Sequence, residues 1–203
     1  MTARIDHAVT SGTFTLDGET FDVDNNVWVI GDDSECIVFD APHDVDAVEQ
    51  LVGGRTVTHI LCTHAHDDHI RHVFELAERV SAPILLHADD APVWRLTHER
   101  QPDAELHDGD EFTVGGTTLR VIHTPGHSPG SCSFYVEELG VVFTGDTLFE
   151  GGPGATGRSF SSKETILESI REKLFALPAE TVVKTGHGPD TTIGAEQVRL
   201  EAK

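Results

Sequence analysis

Eight residues constrain this chain more than any others: Thr63-His64-Ala65-His66-Asp67-Asp68-His69-Ile70. They set three imidazoles and two carboxylates directly behind the apolar run Ile60-Leu61-Cys62. Carboxylates repel one another and imidazoles lose hydration on burial, so this cluster packs badly against a core strand unless a cation sits among its members. A divalent metal removes the conflict, because imidazole nitrogen and carboxylate oxygen are common ligands. His64 and His66, two apart in a non-helical turn, can point the same way. The adjacent Asp68 and His69 must point differently and suit a second centre.

The flanking sequence predicts how such a stretch is carried. From Ala3 to Gly31 short alternating runs are separated by turn residues, with a hairpin over Thr13–Val23 around Asp17-Gly18-Glu19 and a strand at Asn26–Ile30. A strand at Cys36–Phe39 stops at Asp40-Ala41-Pro42. Val45, Val48, Leu51 and Val52 then have helical spacing, closed by Gly53-Gly54. The strand Thr56–Cys62 delivers the histidine motif, and a helix is expected from Asp68 to Val80. A strand Pro83–Leu86, a helix Asp89–Leu96 and a polar loop follow. Strands are expected at Glu111–Val114 and Thr117–Ile122, then a Pro/Gly turn carrying His127, then strands at Ser131–Val136 and Gly140–Thr144. Glu150–Ser162 reads as loop, Ser162 to about Ala176 as helix, Thr181–Lys184 as strand and Gly194–Lys203 as a closing helix. This order predicts an α/β chain with two sheets flanked by helices, and its length fits one domain over residues 1–203.

The residues that can carry chemistry follow the ends of strands: Asp40, the His64–His69 cluster, Asp146 and His187, with His127 in the turn after Thr117–Ile122. Loops at such ends can vary while the sheet holds them in place. In this order the chain resembles the metallo-β-lactamase superfamily, whose signature is H-x-H-x-D-H followed by later ligands, and the resemblance covers essentially the whole chain. Thr124-Pro125-Gly126-His127-Ser128-Pro129-Gly130-Ser131 and Phe143-Thr144-Gly145-Asp146-Thr147-Leu148-Phe149 are most similar to its glyoxalase II (hydroxyacylglutathione hydrolase) branch. The resemblance implies a four-layer αβ/βα sandwich with two mixed sheets. It implies two divalent metal ions, zinc foremost with iron or manganese as alternatives. His64, His66 and His127 would hold the first, Asp68, His69 and His187 the second, and Asp146 would bridge them. Asp40 would orient ligands by hydrogen bonding from behind, a helix cap being its alternative role. The implied activity is hydrolysis of an acyl thioester of a low-mass thiol by a hydroxide shared between the metals and oriented by Asp68.

Composition bounds the partners. A net charge of −21, from 14 basic and 35 acidic residues, repels nucleic acid and anionic lipid, so a small-molecule substrate is expected and neither nucleic acid nor membrane. No signal-peptide pattern is present, no apolar run nears the ~20 residues of a membrane span, and Cys36, Cys62 and Cys132 make an odd number, so a cytoplasmic location is expected. The cysteines read as packing residues. His7, His43, His59, His72, His87, His98, His107 and His123 read as ordinary surface or core histidines.

The chain also departs from glyoxalase II. Residues 188–203 are too few for the C-terminal helical domain that helps to hold glutathione there, which opens the acyl donor to mycothiol, bacillithiol or coenzyme A esters. In the loop after Asp146, Arg158 is the candidate anchor for a substrate carboxylate. Two rival readings share the fold. One is a mononuclear iron persulfide dioxygenase using His64, His127 and Asp146, although its Gly-Arg-Thr-Asp-Phe loop is represented here by Gly157-Arg158-Ser159-Phe160 without the acid. The other is a lactonase or another metallo-hydrolase.

Overall fold

The structure, a computed structural model, describes residues 3–202. Continuous apolar runs such as Val27-Trp28-Val29-Ile30 and Cys36-Ile37-Val38-Phe39 alternate faces along a strand, so both faces of their sheet must be covered. They lie in a six-stranded mixed sheet ordered β1 (Arg4–Leu16), β2 (Glu19–Gly31), β3 (Glu35–Phe39), β4 (Thr56–Leu61), β5 (Ile84–His87) and β6 (Ala104–Leu106). The first two pairings are antiparallel and the last three parallel. Between these strands run α1 (Val45–Val52), α2 (Asp67–Ile70), α3 (Val73–Val80) and α4 (Ala91–Trp94).

The second half holds β7 (Glu111–Val114), β8 (Thr117–His123), β9 (Cys132–Val136), β10 (Val141–Gly145), the small ribbon β11 (Leu148–Phe149) with β12 (Gly152–Pro153), α5 (Lys163–Ser169), β13 (Val182–Thr185), β14 (Thr191–Thr192) and α6 (Ile193–Glu201). Six of its strands form a sheet ordered β14-β13-β10-β9-β8-β7, in which only β10 and β13 pair in parallel.

Three buried clusters separate four layers. Val27, Val29, Val38 and Ile60 pack on Val48, Leu76 and Trp94 of the helices. The opposite faces of the same strands, Trp28, Ile30, Ile37, Phe39 and Leu61, meet Leu119, Val121, Phe134 and Phe143 of the second sheet. Tyr135, Val142 and Val183 on that sheet's outer face pack on Ile166, Ile170, Leu174 and Ile193. The expected sandwich of two mixed sheets flanked by helices is therefore the fold.

Several local expectations change. The hairpin expected at Thr13–Val23 is the tip of a longer one, whose strands each run 13 residues with Leu16 opposite Glu19. The helix expected from Asp68 to Val80 breaks at Arg71 and His72, because His72 N–H turns to the carbonyl of Ala41 (3.1 Å) and the carbonyl of His69 receives Ala41 N–H (2.8 Å). The polar loop before Glu111 contains β6, and the Gly-rich loop contains β12. Ser162 caps α5 as expected, accepting from Thr165 N–H, and the helix continues as a wide turn over Ile170–Leu174. The last residue of the expected closing helix, Lys203, lies outside the described residues. No helix among the described residues is long and apolar enough to cross a membrane.

Candidate metal centre

Strand direction gathers the site. β3 and β4 are parallel, as are β10 and β13, and β8 lies two antiparallel steps from β10, so within each sheet these strands end at a common edge. Asp40 follows β3, the His64–His69 stretch follows β4, His127 follows β8, Asp146 follows β10 and His187 follows β13. Two backbone features make room. Asp40 adopts a positive φ of 62°, which a short polar side chain tolerates, and Gly186 lies so close that a Cβ there would meet Asp146 Oδ1 at 2.2 Å.

Three overlapping groups of donors result: His64, His66 and His127; His64, His69 and Asp146; and Asp68, His69 and His187. His69 Nε2 lies 3.3 Å from His187 Nε2, 3.5 Å from Asp68 Oδ2 and 3.4 Å from Asp146 Oδ1. Asp146 Oδ2 lies 3.5 Å from His127 Nε2 and 3.3 Å from His187 Nε2, and His64 Nε2 is 3.1 Å from His66 Nδ1. Donors around a tetrahedral ion with bonds of about 2.0–2.1 Å stand about 3.3–3.4 Å apart, so these spacings fit ligands of a common ion. Buried Nε2 of His127 and Oδ1 of Asp146 make no hydrogen bond of normal geometry, which a bound cation would remedy. Asp146 reaches both groups.

The far side of each imidazole is held. His69 Nδ1 donates to Asp40 Oδ2 (2.8 Å), His127 Nδ1 to the Ala155 carbonyl (2.9 Å) and His187 Nδ1 to the Asp24 carbonyl (2.7 Å). Thr63 donates its N–H (2.7 Å) and hydroxyl (2.8 Å) to Asp40, leaving its oxygen to accept from His64 Nδ1 (3.0 Å). These bonds leave the Nε2 lone pairs of His64, His69, His127 and His187 turned to the cluster. Asp40 is no cap, since α1 is capped by Asp44, whose carboxylate accepts from Ala47 N–H.

Sequence reasoning missed three supports. Asn25 donates to Asp68 Oδ2 (3.1 Å), and its own oxygen meets His43 Nε2 (2.7 Å), so His43 is no ordinary surface histidine. Fully buried Asp90 accepts from Ala65 N–H (2.7 Å), the Ser128 hydroxyl (2.8 Å) and Gly130 N–H (2.5 Å), tying the His64–His66 turn to the His127 turn. Asp67, given no ligand role, accepts from Thr15 N–H (3.0 Å) and pairs with Arg71, anchoring the β1–β2 hairpin beside the site. No local pattern marks Asn25 or Asp90, because their partners are distant in sequence. His72 pairs with Glu75, outside the cluster.

Burial and mutual charge polarise the metal-free cluster. Burial, with neighbouring imidazoles, holds His64 well below the usual histidine range and His66 at about 3. Burial also opposes the charge on His69 and His187, but the carboxylates of Asp146 and Asp68 outweigh it, pushing His69 well up and His187 to about 10. Burial pushes the thiols of Cys36, Cys62 and Cys132 up, as expected of packing residues.

The cluster floors a cavity of about 400 Å³ into which His66, Asp68, His127, Asp146 and His187 face, with Phe14, Val23, Phe149 and Ala155 as apolar wall and Asp24 at its side. Arg158 does not line this cavity. Its guanidinium pairs with Glu19 (2.9 Å) and lies 4.5 Å from the Phe21 ring centre and 6.0 Å from that of Phe14.

Comparison with known proteins places this geometry. The sequence model of the metallo-beta-lactamase superfamily matches residues 20–187. The chain is 36% identical to a probable metallo-hydrolase, YqgX of Bacillus subtilis, over 85% of this chain and 89% of that one. It is 35% identical to a hydroxyacylglutathione hydrolase of Chelativorans sp. over 80% of this chain, which spans only 62% of that protein. Among solved structures it is similar to the BLEG-1 B3 metallo-beta-lactamase (TM-score 0.79, 33% identity, 93% and 97% of the two chains) and to TTHA1623 in a di-iron-bound form (0.76, 32%, 86% and 93%). ETHE1 from Myxococcus xanthus is similar at a TM-score of 0.73 and 29% identity, over 91% of this chain and 80% of that one. Motif order, layer architecture and these matches agree, and the chain belongs to the metallo-beta-lactamase superfamily.

Proposed function

We propose that the protein is a two-metal hydrolase that cleaves acyl thioesters of a low-mass thiol. The observation that carries this reading is the second donor group: Asp68, His69 and His187 stand beside His64, His66 and His127, and Asp146 reaches both. A mononuclear iron dioxygenase needs only two histidines and one carboxylate, so it leaves the second group without a role. The likeness to a hydroxyacylglutathione hydrolase supports the thioester class. Divalent ions held by these side chains, zinc foremost for so nitrogen-rich a set, would bring the pKa of a water toward neutrality and polarise the acyl carbonyl.

The chain's own residues supply the rest. Asp68, steadied by Asn25, lines the cavity and accepts a hydrogen bond from the attacking water, aiming it at the carbonyl carbon. Phe14, Val23, Phe149 and Ala155 keep other water from the acyl group. A thiolate leaves without a general acid, because thiols ionise near pH ~8.5. The test is protein loaded separately with zinc and with iron(II), each given a panel of S-lactoyl thioesters, with an oxygen electrode and glutathione persulfide in parallel. Thioester cleavage without oxygen uptake is expected. Oxygen consumption with every thioester intact would overturn the reading in favour of the dioxygenase.

A further inference from the structure

From the way the guanidinium beside its aromatic wall is held, we infer that the cavity selects thioesters whose thiol arm carries no negative charge; this rests on the thioesterase reading above. Among the described residues no lysine or arginine lines the cavity. Arg158, whose guanidinium lies 6.0 Å from the Phe14 ring of the cavity wall, is paired. Its guanidinium binds Glu19 at 2.9 Å and lies over Phe21, while the next residue's N–H, that of Ser159, donates to Asp17 (2.9 Å). Asp17 and Glu19 are the two ends of the β1–β2 turn, so the hairpin tip and the Arg158 loop clasp each other beside Phe14, which carries the contact to the cavity wall and stands 5.0 Å from the His66 ring.

Charge balance follows from that clasp. One cation faces the carboxylates of Asp17 and Glu19, and Asp24, whose carboxylate accepts from the Ser11 hydroxyl (2.6 Å), lies at the cavity's side. An anionic thiol arm approaching this rim meets the carboxylates of Asp17 and Glu19 and, among the described residues, no lysine or arginine lining the cavity, on a chain whose net charge is already −21. A neutral arm loses nothing there and gains contact with Phe14 and Phe149. Glu19 is thus a specificity residue acting through Arg158: its carboxylate pairs with one N–H (Nη1) of the guanidinium that would otherwise meet a substrate carboxylate.

The experiment compares a neutral and an anionic arm in zinc-loaded full chain at low salt. Hydrolysis is measured on S-lactoyl-N-acetylcysteamine and S-lactoyl-3-mercaptopropionate, and affinity on the corresponding S-alkyl thioethers, which cannot be hydrolysed. The neutral thioether is expected to bind on the order of tenfold more tightly, and Glu19→Gln to shrink that gap by strengthening the anionic ligand alone. Equal or tighter binding of the anionic thioether by the wild type, or a Glu19→Gln gap as wide as before in protein whose melting temperature is unchanged, would overturn the inference. A preserved thioether preference with neither thioester cleaved would overturn the thioesterase reading and leave the charge selection standing.

Discussion

At Asp90 a single carboxylate receives three donors from the two turns that carry His64, His66 and His127. Asp90→Ala leaves those donors buried and unpaired, so it should cost about 3 kcal/mol in urea unfolding and weaken zinc binding at least about tenfold. Undiminished zinc affinity would mean that the turns hold their register without it. His187 makes a separate prediction at the same scale. In metal-free protein its pKa is raised from the ordinary 6.5 to about 10, so its charge contributes stability that is complete below about pH 6.5 and is lost as pH rises through about 10. Chelated protein should therefore melt at progressively lower temperature across that window. Zinc uptake at neutral pH should release protons, which calorimetry in buffers of different ionisation enthalpy will detect. The clustered donor groups were legible because metal binding would dictate side-chain type and spacing. Asn25, His43 and Asp90 were not, because an amide, an imidazole and a carboxylate gain those roles only through contacts made after folding.

At the scale of elements, the strands around Asn26–Ile30 and Cys36–Phe39 were readable because their apolar runs are short, rich in β-branched and aromatic residues and bounded by turn residues. β6 was not, because Ala104-Glu105-Leu106 is an edge strand with only Leu106 buried and no periodicity to show. The break between α2 and α3 was hidden for a related reason: Val73, Leu76 and Ala77 carry helical spacing straight through, while the interruption is imposed from outside by Ala41. The turn after β13 allows a sharp test. Gly186→Ala places a methyl group against Asp146 Oδ1 and His69, so it should displace the carboxylate and cut zinc affinity, with a stability loss of about 1–3 kcal/mol typical of overpacking. A variant that binds zinc as tightly as the wild type would show that Asp146 is free to move aside.

The whole molecule is organised so that two sheets, each covered by helices, offer neighbouring strand ends to one cavity. The proposed chemistry depends on both donor groups being filled at once, and stoichiometry tests this directly. Metal-free protein is titrated with zinc while S-lactoyl thioester hydrolysis is followed. A two-ion centre predicts activity that keeps rising to two equivalents per chain and a collapse of both activity and the second equivalent in Asp68→Ala. Activity complete at one equivalent, and retained in Asp68→Ala, would contradict it.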